Sequence, residues 1–183
     1  GTNGLFLLSE NLVGEGRTGE LKFGRNNKWQ ESKVRQWCRD FAGIEGDSVT
    51  DAFTAAELAA IQETFKSDGE YIIDGAEMTL RGAAFTAGEN ILSGGKVFLL
   101  SVEEAKNARY GFTSADAVKA TYNGEEAYGW LRSPEEGGSA GVVDFRGYIY
   151  QLPTGFAFVV RPAFNLDAGA VLFVSPAVGG KPD

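Results

Sequence analysis

A chain of 183 residues with 25 acidic and 17 basic side chains, for a formal charge of −8, disfavours nucleic acid and anionic membrane as partners. It contains no histidine, which removes Ser-His-Asp and Cys-His triads, His-containing zinc sites and any histidine general base. Its one cysteine, Cys38, leaves no intrachain disulfide, and a hydrophobic content of 43% is ample for a core without one.

The 25 glycines are about twice the usual share of ~7%, which favours turns and long loops over a helix bundle. No apolar run reaches 18 residues, so no membrane insertion is expected. Gly1-Thr2-Asn3-Gly4 and Gly179-Gly180-Lys181-Pro182-Asp183 read as cut points in linkers. The expectation is a single domain, 1–183, excised from a longer protein.

In chain order, Leu5-Phe6-Leu7-Leu8 between Gly4 and Ser9 predicts a short buried strand. A helix is expected over 29–41, because Val34, Trp37, Cys38 and Phe41 recur at i, i+3, i+4 and i+7. Asn27 would cap it and Gly43 would stop it. Thr54-Ala55-Ala56-Glu57 is a capping box preceded by Phe53, and starts a second helix whose buried side would be Leu58, Ile61 and Phe65. Tyr71-Ile72-Ile73 reads as a short strand, and 74–95 as a long irregular excursion. Val97-Phe98-Leu99-Leu100 is a buried strand running into Ser101-Val102-Glu103-Glu104, another capping box, with a helix to about Arg109. Thr113-Ser114-Ala115-Asp116 starts one more short helix.

From 128 onward the pattern is strand. Residues 129–132 make one, and 140–145 with 148–152 make a hairpin around Arg146-Gly147. Residues 156–166 predict the longest strand, apolar on both faces and therefore central, and 170–174 a last one. Helices first and a sheet second make the fold class α+β.

A resemblance rests on motifs in order. Asn27-x-Trp29-x-x-Ser32-x-x-Arg35-x-Trp37 opens a helix and Ala52-Phe53-Thr54-x-x-Glu57 the next. Phe98-Leu99-Leu100-Ser101-x-Glu103-Glu104, Trp130-Leu131-Arg132-Ser133-Pro134 and Val160-Arg161-Pro162-Ala163 follow. Over nearly the whole chain this resembles bacterial domain of unknown function 6273, common in surface and secreted proteins of gut Firmicutes, which looks related to the C-type-lectin-like fold. The resemblance implies a twisted antiparallel sheet with two main helices and long loops on one side. It implies export, extracellular attachment to the bacterial cell surface, and flanking domains in the same chain. It supplies no catalytic residue: formylglycine-generating relatives of that fold use active-site cysteines, and Cys38 on a helix face does not reproduce them.

Arg132 and Arg161 sit in apolar strands. One reading is two guanidiniums converging on an anion. The favoured reading is framework arginines bonded to carbonyls and to a carboxylate such as Asp144 or Glu104, because both fall in motifs with Trp130, Ser133 and Pro162. Trp29, Trp37 and Trp130 read as core, and Cys38 as a small buried hydrophobe. Glu45, Asp47 and Asp51 around Gly46 form an acidic loop that does not match an EF-hand, and Glu135, Glu136 and Asp144 are further loop acids. Calcium is left open at these positions; no other metal or cofactor is expected. Phe145, Arg146, Tyr148 and Tyr150 flank the hairpin turn, with both tyrosines on one side by alternation. They either pack the sheet or, if exposed, stack on a sugar or anchor a protein partner.

The leading expectation is a non-enzymatic extracellular recognition or adhesion module of a bacterial surface protein. Loops 74–95 and 133–141 and the hairpin at 145–150 would meet a host or bacterial surface protein or a glycan. The alternatives are a structural spacer that binds nothing itself, and a histidine-free enzyme acting on glycans through a carboxylate pair.

Overall fold

A computed structural model describes residues 4–14, 19–43, 53–67, 71–72, 84–85, 90–167 and 169. The fold mixes α and β, with many strands in antiparallel sheets and few helices. The first described strand is β1 (Gly4–Leu8), followed by β2 (Leu21–Lys22), a 3-10 turn at Trp29–Glu31, α1 (Lys33–Phe41), α2 (Ala55–Ala60), β3 (Ile61–Gln62) and β4 (Thr64–Lys66). Next come β5 (Tyr71–Ile72), β6 (Ala84–Phe85), β7 (Leu92–Gly95), β8 (Val97–Leu99), α3 (Val102–Ala105), a 3-10 turn at Ala108–Tyr110 and α4 (Ala115–Val118). The rest is strand: β9 (Thr121–Tyr122), β10 (Glu125–Glu126), β11 (Gly129–Pro134), β12 (Ser139–Val143), β13 (Ile149–Pro153), β14 (Ala157–Val160) and β15 (Pro162–Asp167).

Two sheets organise these pieces. In one, β15 pairs antiparallel with β1, from Gly4↔Asp167 to Leu8↔Ala163, and also with β8 and β3. The other runs β13-β12-β11-β14-β2, and within it β11 and β14 are parallel, Gly129↔Val159 and Trp130↔Val160. The single strand expected over 156–166 is therefore two strands in two sheets. The chain crosses between them at Arg161, where Pro162 brings no amide hydrogen to continue a ladder. The helix-then-sheet division also fails, since β1 and β3 from the first half of the chain pair with β15.

The helices are shorter than their patterns predict. Ser32 is extended and its hydroxyl accepts from the Arg35 amide at 3.0 Å, so Ser32 rather than Asn27 caps α1 and splits 29–41. Asn27 instead donates its side-chain amide to the carbonyls of Glu135 and Ser139 at 2.7 and 3.0 Å. Gly43 ends α1 as expected, left-handed at φ 70°. The capping box of Thr54 and Glu57 forms, but α2 fully buries none of its residues and stops at Ala60. Its sequel pairs as β3 and β4, leaving Ile61 buried and Phe65 71% exposed. A helix with no buried stripe loses to ladders that β-branched Ile61 and Thr64 favour. The box of Ser101 and Glu104 forms too, and α3 ends at Ala105 rather than near Arg109.

The core joins Val34, Trp37 and Cys38 of α1 to Phe98 and Leu99 of β8, Trp130 and Leu131 of β11, and Val142 and Ile149 of the next strands. Each large side chain removed from water contributes about 1.5–3 kcal/mol. Rings tie α1 to β15: Trp37 stacks on Phe41 at 4.9 Å, Phe41 meets Phe53 at 5.6 Å, and Phe53 meets Phe164 at 5.3 Å. Burial pushes the Cys38 thiol far above its usual range against the opposing charge of Arg35, so it packs as an inert hydrophobe. The strand expected at 170–174, the acidic loop of Glu45, Asp47 and Asp51, and most of 74–95 lie outside the described residues.

Candidate recognition surface

The turn between β12 and β13 is built on Asp144, which is 1% exposed. Its carboxylate accepts from the amides of Arg146 and Tyr148 at 2.8 and 2.9 Å, and from the Arg146 guanidinium at 3.0 and 3.2 Å. Gly147 closes the turn at φ 84°. Folded back by Asp144, the guanidinium lies over the rings of Phe145 and Tyr148, 5.3 and 5.1 Å from their centres. The Asp144 hydrogen bond and charge raise the pKa of Arg146. Tyr148 and Tyr150 are half-buried. Burial, then a hydrogen bond with Tyr128, pushes the Tyr150 hydroxyl well above the usual phenol range.

These hairpin residues are one end of a longer aromatic row. Phe145 meets Tyr128 at 5.8 Å, Tyr128 stacks on Phe158 at 5.0 Å, and Phe158 stacks on Phe156 at 6.0 Å with an interplanar angle of 2°. Tyr128 immediately precedes β11, and the parallel register of β11 with β14 sets it beside Phe158. Phe156 and Phe158 share a face because side chains alternate along a strand. Phe156 is 52% and Phe145 37% exposed, so the row reaches solvent. Phe156, which the apolar pattern assigns to a covered central strand, is a surface residue, whereas Phe158 of the same strand is half-buried against the core and Tyr128 is half-buried beside it.

Below the row lies a cleft of about 310 Å³ lined by Glu20, Tyr122, Glu125, Glu126, Tyr128 and Phe158. Its outer lip is the β9–β10 hairpin, turned by Asn123 and Gly124 at φ 53° and 84°. An Asn-Gly pair of positive φ is the preferred two-residue hairpin connection. The stretch Tyr122-Asn123-Gly124-Glu125 carries that hairpin signal in the sequence itself.

The two arginines do not converge on one ligand. Arg132 is 0% exposed and donates to the carbonyls of Asn90 and Leu99 at 3.1 and 2.8 Å and to the Glu104 carboxylate. Arg161 donates to the carbonyls of Ser9 and Val118, both at 2.9 Å, and burial lowers its pKa from the usual value. Of the expected carboxylate partners, Glu104 serves Arg132 while Asp144 serves Arg146. The other motif residues are equally internal. The Trp130 indole donates to the Leu21 carbonyl at 2.9 Å, the Ser133 hydroxyl accepts from the Val102 amide at 2.9 Å, and the Pro162 carbonyl accepts from the Ser9 amide at 3.0 Å.

The loop acids have local uses. Glu135 accepts from the Ser139 amide at 3.4 Å, Glu136 is exposed, and Asp144 is engaged in its turn. Among the described residues no group of three or more His, Cys, Asp or Glu is placed to hold a metal ion.

A family model, Domain of unknown function (DUF6273), matches residues 2–168, and the chain belongs to that family. No curated protein matches the chain, and no solved structure does.

Proposed function

We propose that this chain is a non-enzymatic recognition module, a single domain of a bacterial surface protein, and that it binds through the row Phe156, Phe158, Tyr128 and Phe145. The row, exposed at its two ends Phe145 and Phe156, is the observation that carries the reading. Apolar ring edges that reach water mark interaction surfaces, and aromatic residues dominate binding energy where they are found. Motif residues Trp130, Arg132, Ser133, Arg161 and Pro162 form the frame that holds the row, and take no direct part in binding. The place outside the cell, and flanking domains, accompany this reading through the family resemblance. A C-type-lectin-like arrangement is part of the proposal: α1 and α2 are its two main helices, and β1 and β15 close one sheet.

The test is a binding screen against glycans and extracellular-matrix proteins, run on the wild type and on Phe145→Ser and Phe156→Ser. Both substitutions are at exposed positions, so the circular-dichroism spectrum and melting temperature should hold. Binding to the cognate ligand should fall about tenfold for at least one of them, as truncation of an aromatic hot spot implies. A spacer would bind nothing in the screen. A ligand bound equally by wild type and both variants would displace the row as the site.

A further inference from the structure

We propose that the cleft beneath the row takes a lysine or arginine side chain from a basic segment of a protein partner; this deepens the recognition reading and rests on it. Charge complementarity carries the argument. Glu20, Glu125 and Glu126 line a cleft whose remaining walls include the rings of Tyr122, Tyr128 and Phe158. Glu20 and Glu125 are exposed and the chain carries a net charge of −8, so a cation is drawn towards this mouth. Glu126 shares Lys119 at 3.7 Å, but that ammonium lies closer to Asp116, at 2.9 Å. A long basic side chain has the matching anatomy: its methylene stem lies on ring edges while its charged head reaches carboxylates.

The same geometry disfavours a sugar. Stacking of a pyranose needs an open ring face. Phe158 is already packed against Phe156, Tyr128 and Trp130, and Arg146 covers Phe145 and Tyr148. The row therefore offers edges and apolar margins, which suit side chains of a peptide, with the cleft as the anchor for its basic residue.

Titration calorimetry of the protein with a Lys-Ala repeat peptide, and separately with cellotetraose and chitotetraose, tests this. The peptide should bind with an affinity that falls as salt rises. Glu20→Gln combined with Glu125→Gln should weaken it about tenfold, the sum of exposed charge pairs. Tyr122→Leu, which keeps every charge, should also weaken it. Glu136→Gln combined with Glu103→Gln, on exposed glutamates beyond the other end of β11 and on α3, should leave it unchanged. An equal loss from both glutamate pairs would mean diffuse attraction and overturn the cleft assignment, as would a peptide that does not bind. Oligosaccharide binding that is sensitive to Phe156→Ser and blind to the Glu20/Glu125 pair would sink this inference and leave the recognition reading standing. Binding by none of the probes, together with an empty screen of matrix proteins and glycans, would remove both.

Discussion

The guanidinium of Arg132 ends on the carboxylate of Glu104, a residue 28 positions earlier in the chain, and both side chains are buried. The same carboxylate accepts from the Ser101 amide at 2.9 Å, completing the capping box of α3, and from the Lys66 ammonium at 2.6 Å. One anion thus ties β11, α3 and β4 together. Paired and hydrogen-bonded in this way, two buried charges are tolerated; either one alone is not.

Removing one partner should therefore be severe. Arg132→Ala should cost about 3–5 kcal/mol, because it leaves a buried carboxylate short of its main counter-charge. Arg132→Met together with Glu104→Leu should cost less than the two single substitutions added. Urea denaturation of the four proteins of this cycle provides the check. An Arg132→Ala variant that loses under about 1 kcal/mol, the scale of an exposed pair, would show that the network is not structural.

The network also predicts a pH dependence. Burial pushes the Glu104 carboxyl up, but the Arg132 charge and the hydrogen bonds from Arg132, Lys66 and the Ser101 amide outweigh it, so its folded pKa lies below the ordinary 4.5. A depressed folded value means that the stabilisation is present above about 4.5 and is lost as the pH falls through the lower, folded value. The acid limb of a stability–pH curve should flatten in Glu104→Gln. Lys66→Met, which removes one of the partners, should shrink the acid-labile part without abolishing it. Parallel acid limbs in all of them would remove Glu104 as the source.

Ser133 makes a smaller but cleaner case. Its hydroxyl is the acceptor for the Val102 amide, and both residues are buried. Ser133→Ala leaves that amide without its acceptor and should cost about 1–3 kcal/mol, whereas Ser133→Thr keeps the oxygen and should recover part of it. Thermal melts distinguish the two. Equal melting temperatures for wild type and Ser133→Ala would show that another group serves the amide.

Two glycines of similar backbone conformation should behave differently. Gly138 has φ 90° with open space where a Cβ would stand, so Gly138→Ala should cost only the left-handed penalty of about 1–2 kcal/mol. Gly147 has φ 84°, and its Cβ would fall 1.9 Å from the Ala115 carbonyl oxygen. Gly147→Ala must displace the hairpin turn from α4, and with it Phe145, Arg146 and Tyr148. It should lower the melting temperature well beyond Gly138→Ala and reduce any binding that the row supports. Similar melting temperatures for the two would contradict the close approach.

What the sequence determined by itself is local and chemical. The boxes at Thr54–Glu57 and Ser101–Glu104, the stop at Gly43, the buried stripe of Val34, Trp37 and Cys38, and the framework character of Arg132 follow from groups a few residues apart or from apolar periodicity. The family, too, was legible from short motifs in order. Only the tertiary structure decided which carboxylate Arg132 would find, that 156–166 would divide between two sheets at Arg161, and that a parallel pairing would bring Tyr128 to Phe158. The physical reason is the range of the interaction. A cap is settled by hydrogen bonds three residues long. A parallel register, or the choice between Glu104 and Asp144, is settled by packing among residues tens of positions apart, and the aromatic row with its acidic cleft exists only once that packing is in place.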